Sequence, residues 1–111
     1  MKDFYHSKAW KMKRKRILRR DGYMSALSKR YGKRIVGETV HHILPRDIFP
    51  EYQMEDWNLI TLSIQEHNRM HDRMTGDLSP EGIELLRRTA RAKGLNENEL
   101  VKRISEASGA L

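Results

Sequence analysis

The 111-residue sequence contains no cysteine. This absence excludes a disulfide-stabilised fold, a zinc site with cysteine ligands and catalysis by a thiol. No apolar run approaches the roughly 18 residues that a membrane span requires, and residues 1–16 contain no apolar core of a secretion signal. We therefore expect a cytoplasmic protein with a single hydrophobic core and no membrane partner.

Positive charge is what the sequence has in excess. Its 22 Lys and Arg residues against 15 Asp and Glu give a formal net charge of +7. Residues 1–35 hold 13 basic and 2 acidic side chains, whereas residues 36–111 hold 9 and 13. A strongly basic segment beside a mildly acidic one favours a polyanionic partner such as nucleic acid. A solvated basic helix that binds nothing specific has the same composition.

Helix signals lie towards both ends of the chain. Helices are predicted over residues 7–20, 24–31, 63–74, 79–93 and 96–105. Ser7 is suited to be an N-cap, and Ser63 with Glu66 has the spacing of a capping box. Gly94 is placed to end the fourth helix. Trp10 and Trp57 are interpreted as core anchors.

Strand signals lie in the middle of the chain. Residues 33–44 are rich in β-branched side chains and are interrupted by Gly37, which predicts two short strands or a bent ribbon ending before Pro45. Residues 58–62 predict the next strand, after a loop over 46–57. The expected fold is mostly α, with a small central β-hairpin flanked by helices.

Four of the five histidines lie within 31 residues, at positions 41, 42, 67 and 71. His67 and His71 are four residues apart on a predicted helix, so they share a face and can chelate one divalent metal. Two hydrogen-bonded core histidines would give the same pattern. If the strand ends or distorts at His41 and His42, one of them can bind the metal while the other acts as a base. An imidazole suits proton abstraction near neutral pH because its unperturbed pKa is about 6.5.

Three short segments resemble a known protein family. They read VHHILP at residues 40–45, WNLITL at 57–62 and EHNRMH at 66–71. Together they are similar to the motif of the HNH endonucleases, which are also called ββα-metal or His-Me finger nucleases. The preceding basic segment is similar to that of small phage and prophage members, so the resemblance covers residues 4–75. It implies a ββα-metal motif flanked by helices.

The resemblance also implies a set of site residues. The signature positions of the family fall on His42, Asn58 and His67. The spacings of 16, 9 and 4 residues from His42 through Asn58 and His67 to His71 match the family branch with a three-histidine metal site. By this resemblance His42 is the general base and Asn58 orients it through the backbone. One divalent ion is then held by His41, His67 and His71.

The function that the resemblance implies is hydrolysis of DNA phosphodiester bonds, leaving a 5′ phosphate and a 3′ hydroxyl, with Mg, Mn, Ni or Zn as the divalent ion. DNA is the implied partner, and phage terminase subunits are further ones. The nuclease domain is expected over residues 1–75, with residues 76–111 as a helical extension packed on it. A non-catalytic nucleic-acid-binding module with a structural histidine-bound metal is the main alternative, although such a site has no need of Asn58. A secreted toxin nuclease is a second alternative, but 111 residues leave no room for delivery domains.

The basic segment is expected to contact phosphates. Its side chains surround the predicted first helix and cannot all face one groove, so they predict backbone contacts without base reading. These residues are Lys11, Lys13, Arg14, Lys15, Arg16, Arg19 and Arg20. Arg34 is expected to pair with Glu38, either beside the scissile phosphate or as an ordinary surface ion pair.

The sequence departs from the resemblance at one feature. Many phage relatives carry two CxxC pairs that bind a structural zinc, and the matching positions here are Ser25, Ser28, Ser63 and Glu66. Because none of them carries a thiol, no structural zinc is expected. We expect apolar packing to hold this region instead. The candidate side chains are Met24, Leu27, Tyr31, Leu62 and Ile64.

Overall fold

The computed structural model describes residues 3–108. Within them the chain forms five α-helices, two strands and three short turns of 3-10 helix. The helices and strands are α1 (Lys8–Arg20), α2 (Ala26–Lys29), β1 (Thr39–His42), β2 (Leu59–Leu62), α3 (Ile64–Arg69), α4 (Pro80–Lys93) and α5 (Glu97–Ser108). This order confirms the predicted, mostly helical fold with a central hairpin. The last residues of the predicted extension, 109–111, lie outside the described residues. No helix in the described part of the chain is long and apolar enough to cross a membrane.

The two strands pair antiparallel, with His41 opposite Ile60 and His42 opposite Leu59. Adjacent strand residues point to opposite faces, so the two histidines leave the hairpin in different directions. On the face of His42, Leu59 packs with Trp10 and other residues of α1 in a small apolar cluster. On the other face, Ile60 belongs to the main core. The hairpin therefore separates two apolar layers.

The main core joins the hairpin to both C-terminal helices. Its buried members are Ile43, Leu44, Phe49, Ile60, Leu62, Met70, Leu85, Leu86 and Ile104. Leu85 and Leu86 come from α4 and Ile104 from α5, and full burial of such a side chain stabilises a fold by about 1.5–3 kcal/mol. Helices α4 and α5 thus share one core with the hairpin.

Arg20 and Asp21, at the end of α1, bind the outer edge of β2. The Asp21 carboxylate accepts a hydrogen bond from the Thr61 amide at 3.1 Å. The Arg20 guanidinium donates to the carbonyl of Leu59 at 2.7 Å and to that of Asp56 at 2.8 Å, and it also pairs with Asp21. These bonds fix the direction in which α1 crosses the sheet.

The region predicted as two strands before Pro45 contains only β1. Val36 forms a single bridge with Met24 instead of a second strand. Gly37 explains the difference, because a Cβ at this position would lie 2.7 Å from the Thr61 side chain and 3.0 Å from the Ser25 amide nitrogen. The chain passes too close to its neighbours here for a pleated strand with side chains on both faces.

The predicted helix over residues 63–74 is shorter than expected, since α3 ends at Arg69. Ser79 closes it: its hydroxyl donates to the Arg69 carbonyl at 2.5 Å and its amide to the Met70 carbonyl at 2.8 Å. His71 therefore lies beyond the helix and forms a bridge with Leu78. The prediction that His71 shares a helix face with His67 is wrong, although the two side chains still meet.

Candidate metal centre and catalytic cleft

Three histidines from different parts of the fold converge on one point. His41 comes from β1, His67 from α3 and His71 from the segment after α3. Each offers one ring nitrogen, and these three atoms all lie within 4.8 Å of one another. This arrangement can hold one divalent metal ion, with imidazole nitrogens as ligands.

The hydrogen bonding of two of these rings, His41 and His71, fits a metal ion. His41 is 1% exposed, and its Nε2 has no hydrogen-bond partner among the described residues. A buried polar atom without a partner is costly, and a metal ion would satisfy it. The Nδ1 of His71 lies 3.2 Å from the Gly76 carbonyl. When Nδ1–H donates to that oxygen, Nε2 is left to face the ion, as in other histidine-metal sites.

Two of the three imidazoles favour the neutral form that a metal ligand must have. Burial, together with the neighbouring His67, His71 and His42 rings, lowers the pKa of His41 to about 3. Burial and the adjacent His71 ring likewise lower the pKa of His67. Both imidazoles therefore carry a free lone pair at neutral pH.

His42 lines the same cleft as the three histidines, although it leaves the strand on the other face. The cleft has a volume of about 410 Å³. The Nε2 of His42 lies 3.0 Å from the Gln53 carbonyl, to which Nε2–H donates, so Nδ1 keeps its lone pair. Burial lowers the pKa of His42, the Gln53 bond opposes that shift, and the positive charge of Arg46 adds to it. The net lowering leaves an imidazole that can accept a proton near neutral pH.

Asn58 joins the end of β1 to the loop that carries Gln53. Its side chain is fully buried. Oδ1 accepts a hydrogen bond from the Leu44 amide at 2.7 Å, and Nδ2 donates to the carbonyls of Leu44 at 3.2 Å and Tyr52 at 3.1 Å. Because Tyr52 immediately precedes Gln53, the connection from Asn58 to His42 runs through the loop backbone.

Arg46 is a residue of the cleft that the sequence analysis missed. Its guanidinium carbon lies 4.4 Å from the centre of the Phe4 ring and 5.1 Å from that of Tyr5, a cation–π arrangement. Arg46 forms no ion pair with any described residue. The sequence gives no signal for this placement, since its aromatic partners lie about forty residues earlier in the chain.

The structure divides the predicted phosphate-contact residues into two groups. Four are held by the protein itself, namely Lys13 and Arg16 by Asp56, Arg14 by the Glu38 carbonyl, and Arg20 by the edge of β2. The other four are exposed and make no hydrogen bond or ion pair with described residues: Lys11, Lys15, Arg19 and Arg34. The expected ion pair between Arg34 and Glu38 does not form within the described chain.

The four positions at which the resemblance implies cysteines in relatives meet here in a hydrogen-bonded cluster. Glu66 is 5% exposed, and its carboxylate accepts hydrogen bonds from the Ser28 hydroxyl at 2.5 Å and the Ser63 amide at 2.8 Å. The Ser25 hydroxyl accepts from the Ser28 amide at 3.0 Å. Burial raises the pKa of Glu66, but the bonds from the three serines outweigh it and the pKa is lowered. We call these four residues the serine–glutamate cluster.

The apolar packing predicted for this region is only partly present. Leu27 and Leu62 pack in the main core, as expected. Tyr31 and Ile64 are 66% and 49% exposed, so their predicted packing role is wrong. Hydrogen bonds to a buried carboxylate hold this region where the sequence predicts apolar contacts.

No model of a known protein family matches the chain, and no curated protein does. Among solved structures, the chain is similar to the HNH endonuclease of the deep-sea thermophilic bacteriophage GVE2, in a crystal structure with manganese ion. The TM-score is 0.58 and the sequence identity is 30%, over 60% of this chain and 72% of that chain. By this likeness the chain belongs to the HNH endonuclease family, and it carries the histidine cluster described above.

Proposed function

We propose that the chain is a metal-dependent DNA endonuclease that hydrolyses phosphodiester bonds. One observation carries the proposal: a single cleft presents both a three-histidine cluster and a fourth, unprotonated histidine. A metal site alone would need only the cluster. The similarity to a phage endonuclease that was crystallised with manganese supports the same reading.

His41, His67 and His71 would hold the metal through the nitrogen atoms described above. A divalent ion bound there supplies positive charge for the oxygens of the scissile phosphate. Imidazole ligands are compatible with several divalent ions. Manganese is the first of Mg, Mn, Ni and Zn to test because the similar endonuclease contains it.

His42 takes the proton of the attacking water at Nδ1. The water oxygen then bonds to phosphorus while the bond from phosphorus to the 3′ oxygen breaks. The 3′ oxygen leaves as an alkoxide that takes a proton from solvent, which gives 5′-phosphate and 3′-hydroxyl products, and the imidazolium afterwards returns its proton to solvent. The Gln53 carbonyl keeps its bond to Nε2–H and stabilises the positive imidazolium that forms. Asn58 supports this arrangement by fixing the loop. Arg46 provides a cation on the wall of the cleft that can bind a phosphate oxygen.

DNA would reach this cleft with its backbone along the exposed cations. Lys11, Lys15, Arg19 and Arg34 are free to contact phosphates, which favours binding without base reading. We also propose that residues 1–75 form the nuclease domain and 76–111 its extension. Terminase subunits as partners and a cytoplasmic location stay predictions.

The test is plasmid cleavage. Purified protein is incubated with supercoiled plasmid and Mg, Mn, Ni or Zn in turn, and each reaction is repeated with excess chelator. The proposal expects nicked or linear product that requires the ion. If the metal-bound chain binds plasmid but leaves it supercoiled under every condition, the alternative of a nucleic-acid-binding module with a structural metal is correct.

A further inference from the structure

One side chain of α5, that of Arg103, makes four contacts with three residues of the loop between β1 and β2. Arg103 donates to both carboxylate oxygens of Glu51, at 2.6 and 3.1 Å, and to the Ile48 carbonyl at 2.7 Å. Its guanidinium carbon also lies 4.5 Å from the centre of the Phe49 ring. A guanidinium that forms a fork on a carboxylate, binds a carbonyl and covers a ring has little freedom left.

The same loop carries the backbone groups that hold the catalytic cleft. Two residues after Glu51, the Gln53 carbonyl binds the His42 ring at 3.0 Å. The intervening Tyr52 carbonyl binds Asn58 at 3.1 Å. Residues Pro50–Tyr52 form one turn of 3-10 helix, closed by the Gln53 amide on the Pro50 carbonyl. A displacement of Glu51 is therefore passed to the Gln53 carbonyl within a single turn.

The backbone of α5 that carries Arg103 is held by the main core. Arg103 is followed by Ile104, which is buried in the main core, so the guanidinium extends from a packed helix. An ion pair as exposed as Arg103–Glu51 adds little to the stability of a fold, because solvent screens the two charges. Its larger effect is on geometry, because it fixes the direction of a carbonyl rather than adding much to the free energy of unfolding.

We propose that Arg103 is a positioning residue for His42, and that α5 thereby helps to build the catalytic cleft. By fixing residues 48–51, Arg103 holds the Gln53 carbonyl against the imidazole. This inference rests on the proposed role of His42 as the base. It gives α5 a role in the reaction, where the sequence predicts only packing.

The experiment compares Arg103→Gln and Glu51→Gln with a matched control, Arg91→Gln. Arg91 forms an exposed ion pair with Glu97, which also involves α5 but is remote in sequence from the loop. At saturating metal, we expect kcat of Arg103→Gln to fall by about tenfold, since small misplacements of a reacting group are costly. We expect KM for DNA and the affinity for manganese to stay within about twofold. Arg103→Lys should recover part of kcat, and Arg91→Gln should cleave like the wild type.

A double-mutant cycle separates positioning from general weakening. If Arg103 acts through the base, Arg103→Gln has no further effect on the residual cleavage by His42→Ala. Amide hydrogen exchange gives a readout without catalysis. Exchange at residues 48–55 should be faster in Arg103→Gln and unchanged in Arg91→Gln.

The outcomes are distinct. Wild-type kcat in Arg103→Gln, an equal loss in the His42→Ala background, or unchanged exchange in the loop would overturn the inference while leaving the proposed function intact. A wild-type chain that cleaves no DNA overturns the proposed function and this inference with it. If Arg103→Gln does not fold, Arg103→Lys and Glu51→Gln carry the same comparison.

Discussion

The imidazole of His42 is stacked on the indole of Trp10, with ring centroids 5.0 Å apart and planes 22° from parallel. Trp10 is buried in α1, so this indole is a fixed surface. Stacking sets the plane of the imidazole, and the bond to the Gln53 carbonyl sets its rotation within that plane. Together they leave Nδ1 with one direction, which makes the ring a defined proton acceptor.

The first prediction concerns this ring. His42→Ala should reduce plasmid cleavage by at least about 100-fold, since a general base contributes that much or more. Metal affinity and DNA affinity should stay close to those of the wild type, because the base is needed only for the reaction. His6→Ala is the control, as His6 is exposed and its ring pairs with the exposed Asp3. Cleavage at the wild-type rate by His42→Ala would show that another group is the base.

The second prediction concerns metal removal. Calorimetric titration with manganese should find one tightly bound ion per chain, and His67→Ala should lose both the ion and cleavage. A chelator should stop cleavage yet leave the helical circular-dichroism signal in place, because the main core contains no metal ligand. The melting temperature should fall only as far as the loss of one ion's binding free energy lowers the free energy of unfolding. Two tight ions, or unfolding by chelator at room temperature, contradicts this assignment.

The third prediction concerns the serine–glutamate cluster. Glu66→Ala leaves the Ser28 hydroxyl and the Ser63 amide without their acceptor, so the free energy of unfolding should fall by about 2–3 kcal/mol. Glu66→Gln should cost less, since the amide oxygen keeps one acceptor. Glu106→Ala is the control, because Glu106 is exposed and its carboxylate forms no hydrogen bond or ion pair with described residues. Urea unfolding measures the free energy of unfolding of all three variants. If Glu66→Ala and Glu106→Ala lower it equally, the serine–glutamate cluster has no structural role.

The fourth prediction concerns pH and Asp21. Burial raises the pKa of this carboxyl, but hydrogen bonds from Arg20 and Thr61 outweigh it and lower the pKa below 3.8. The charged form is thus favoured by folding, so its stabilisation is present above pH 3.8 and is lost as the pH falls through the lower folded-state pKa. Asp21→Asn should cost about 1–3 kcal/mol at neutral pH. The difference in urea unfolding between Asp21→Asn and the wild type should shrink in acid, and a difference that stays constant from neutral to acid pH would contradict this role of Asp21.

The fifth prediction separates the two groups of basic residues. Lys15→Ala should weaken DNA binding and reduce the slope of log affinity against log salt by about one, since one phosphate contact is lost. Its stability should not change. Lys13→Ala breaks the 2.6 Å bond to Asp56, so it should cost about 0.5–1 kcal/mol of stability and change DNA affinity little. If Lys15→Ala and Lys13→Ala have the same slope of log affinity against log salt, the division of the basic residues into two groups is wrong.

Local signals were sufficient to predict where the longer helices begin. Ser7 and Ser79 cap α1 and α4 as expected, and Ser63 with Glu66 forms the complete capping box before α3. The hydrogen bonds of such a cap join residues within four positions of each other, so the cap can be predicted without knowledge of the surrounding fold. The convergence of the histidines was accessible only through the resemblance, because it depends on how β1 and α3 pack.

The features that could not be predicted depend on contacts between distant residues. Ser28 reaches Glu66 across 38 residues, and no local pattern marks a serine as the partner of a buried carboxylate. Ser79 ends α3 ten residues earlier by binding the Arg69 carbonyl, which moved His71 off the helix. Gly37 could be identified as a break, but the atoms that crowd it belong to other segments.

The binding of Arg20 and Asp21 along the outside of β2 has a consequence for how copies of the chain meet. An open strand edge is a template on which another chain can add a strand, and this is a common route to aggregation. Here the outward Thr61 amide and Leu59 carbonyl are already bonded within the chain. A third strand would have to displace a carboxylate and a guanidinium before it could pair. Loss of Asp21 would expose the Thr61 amide as the first point for edge-to-edge association between copies.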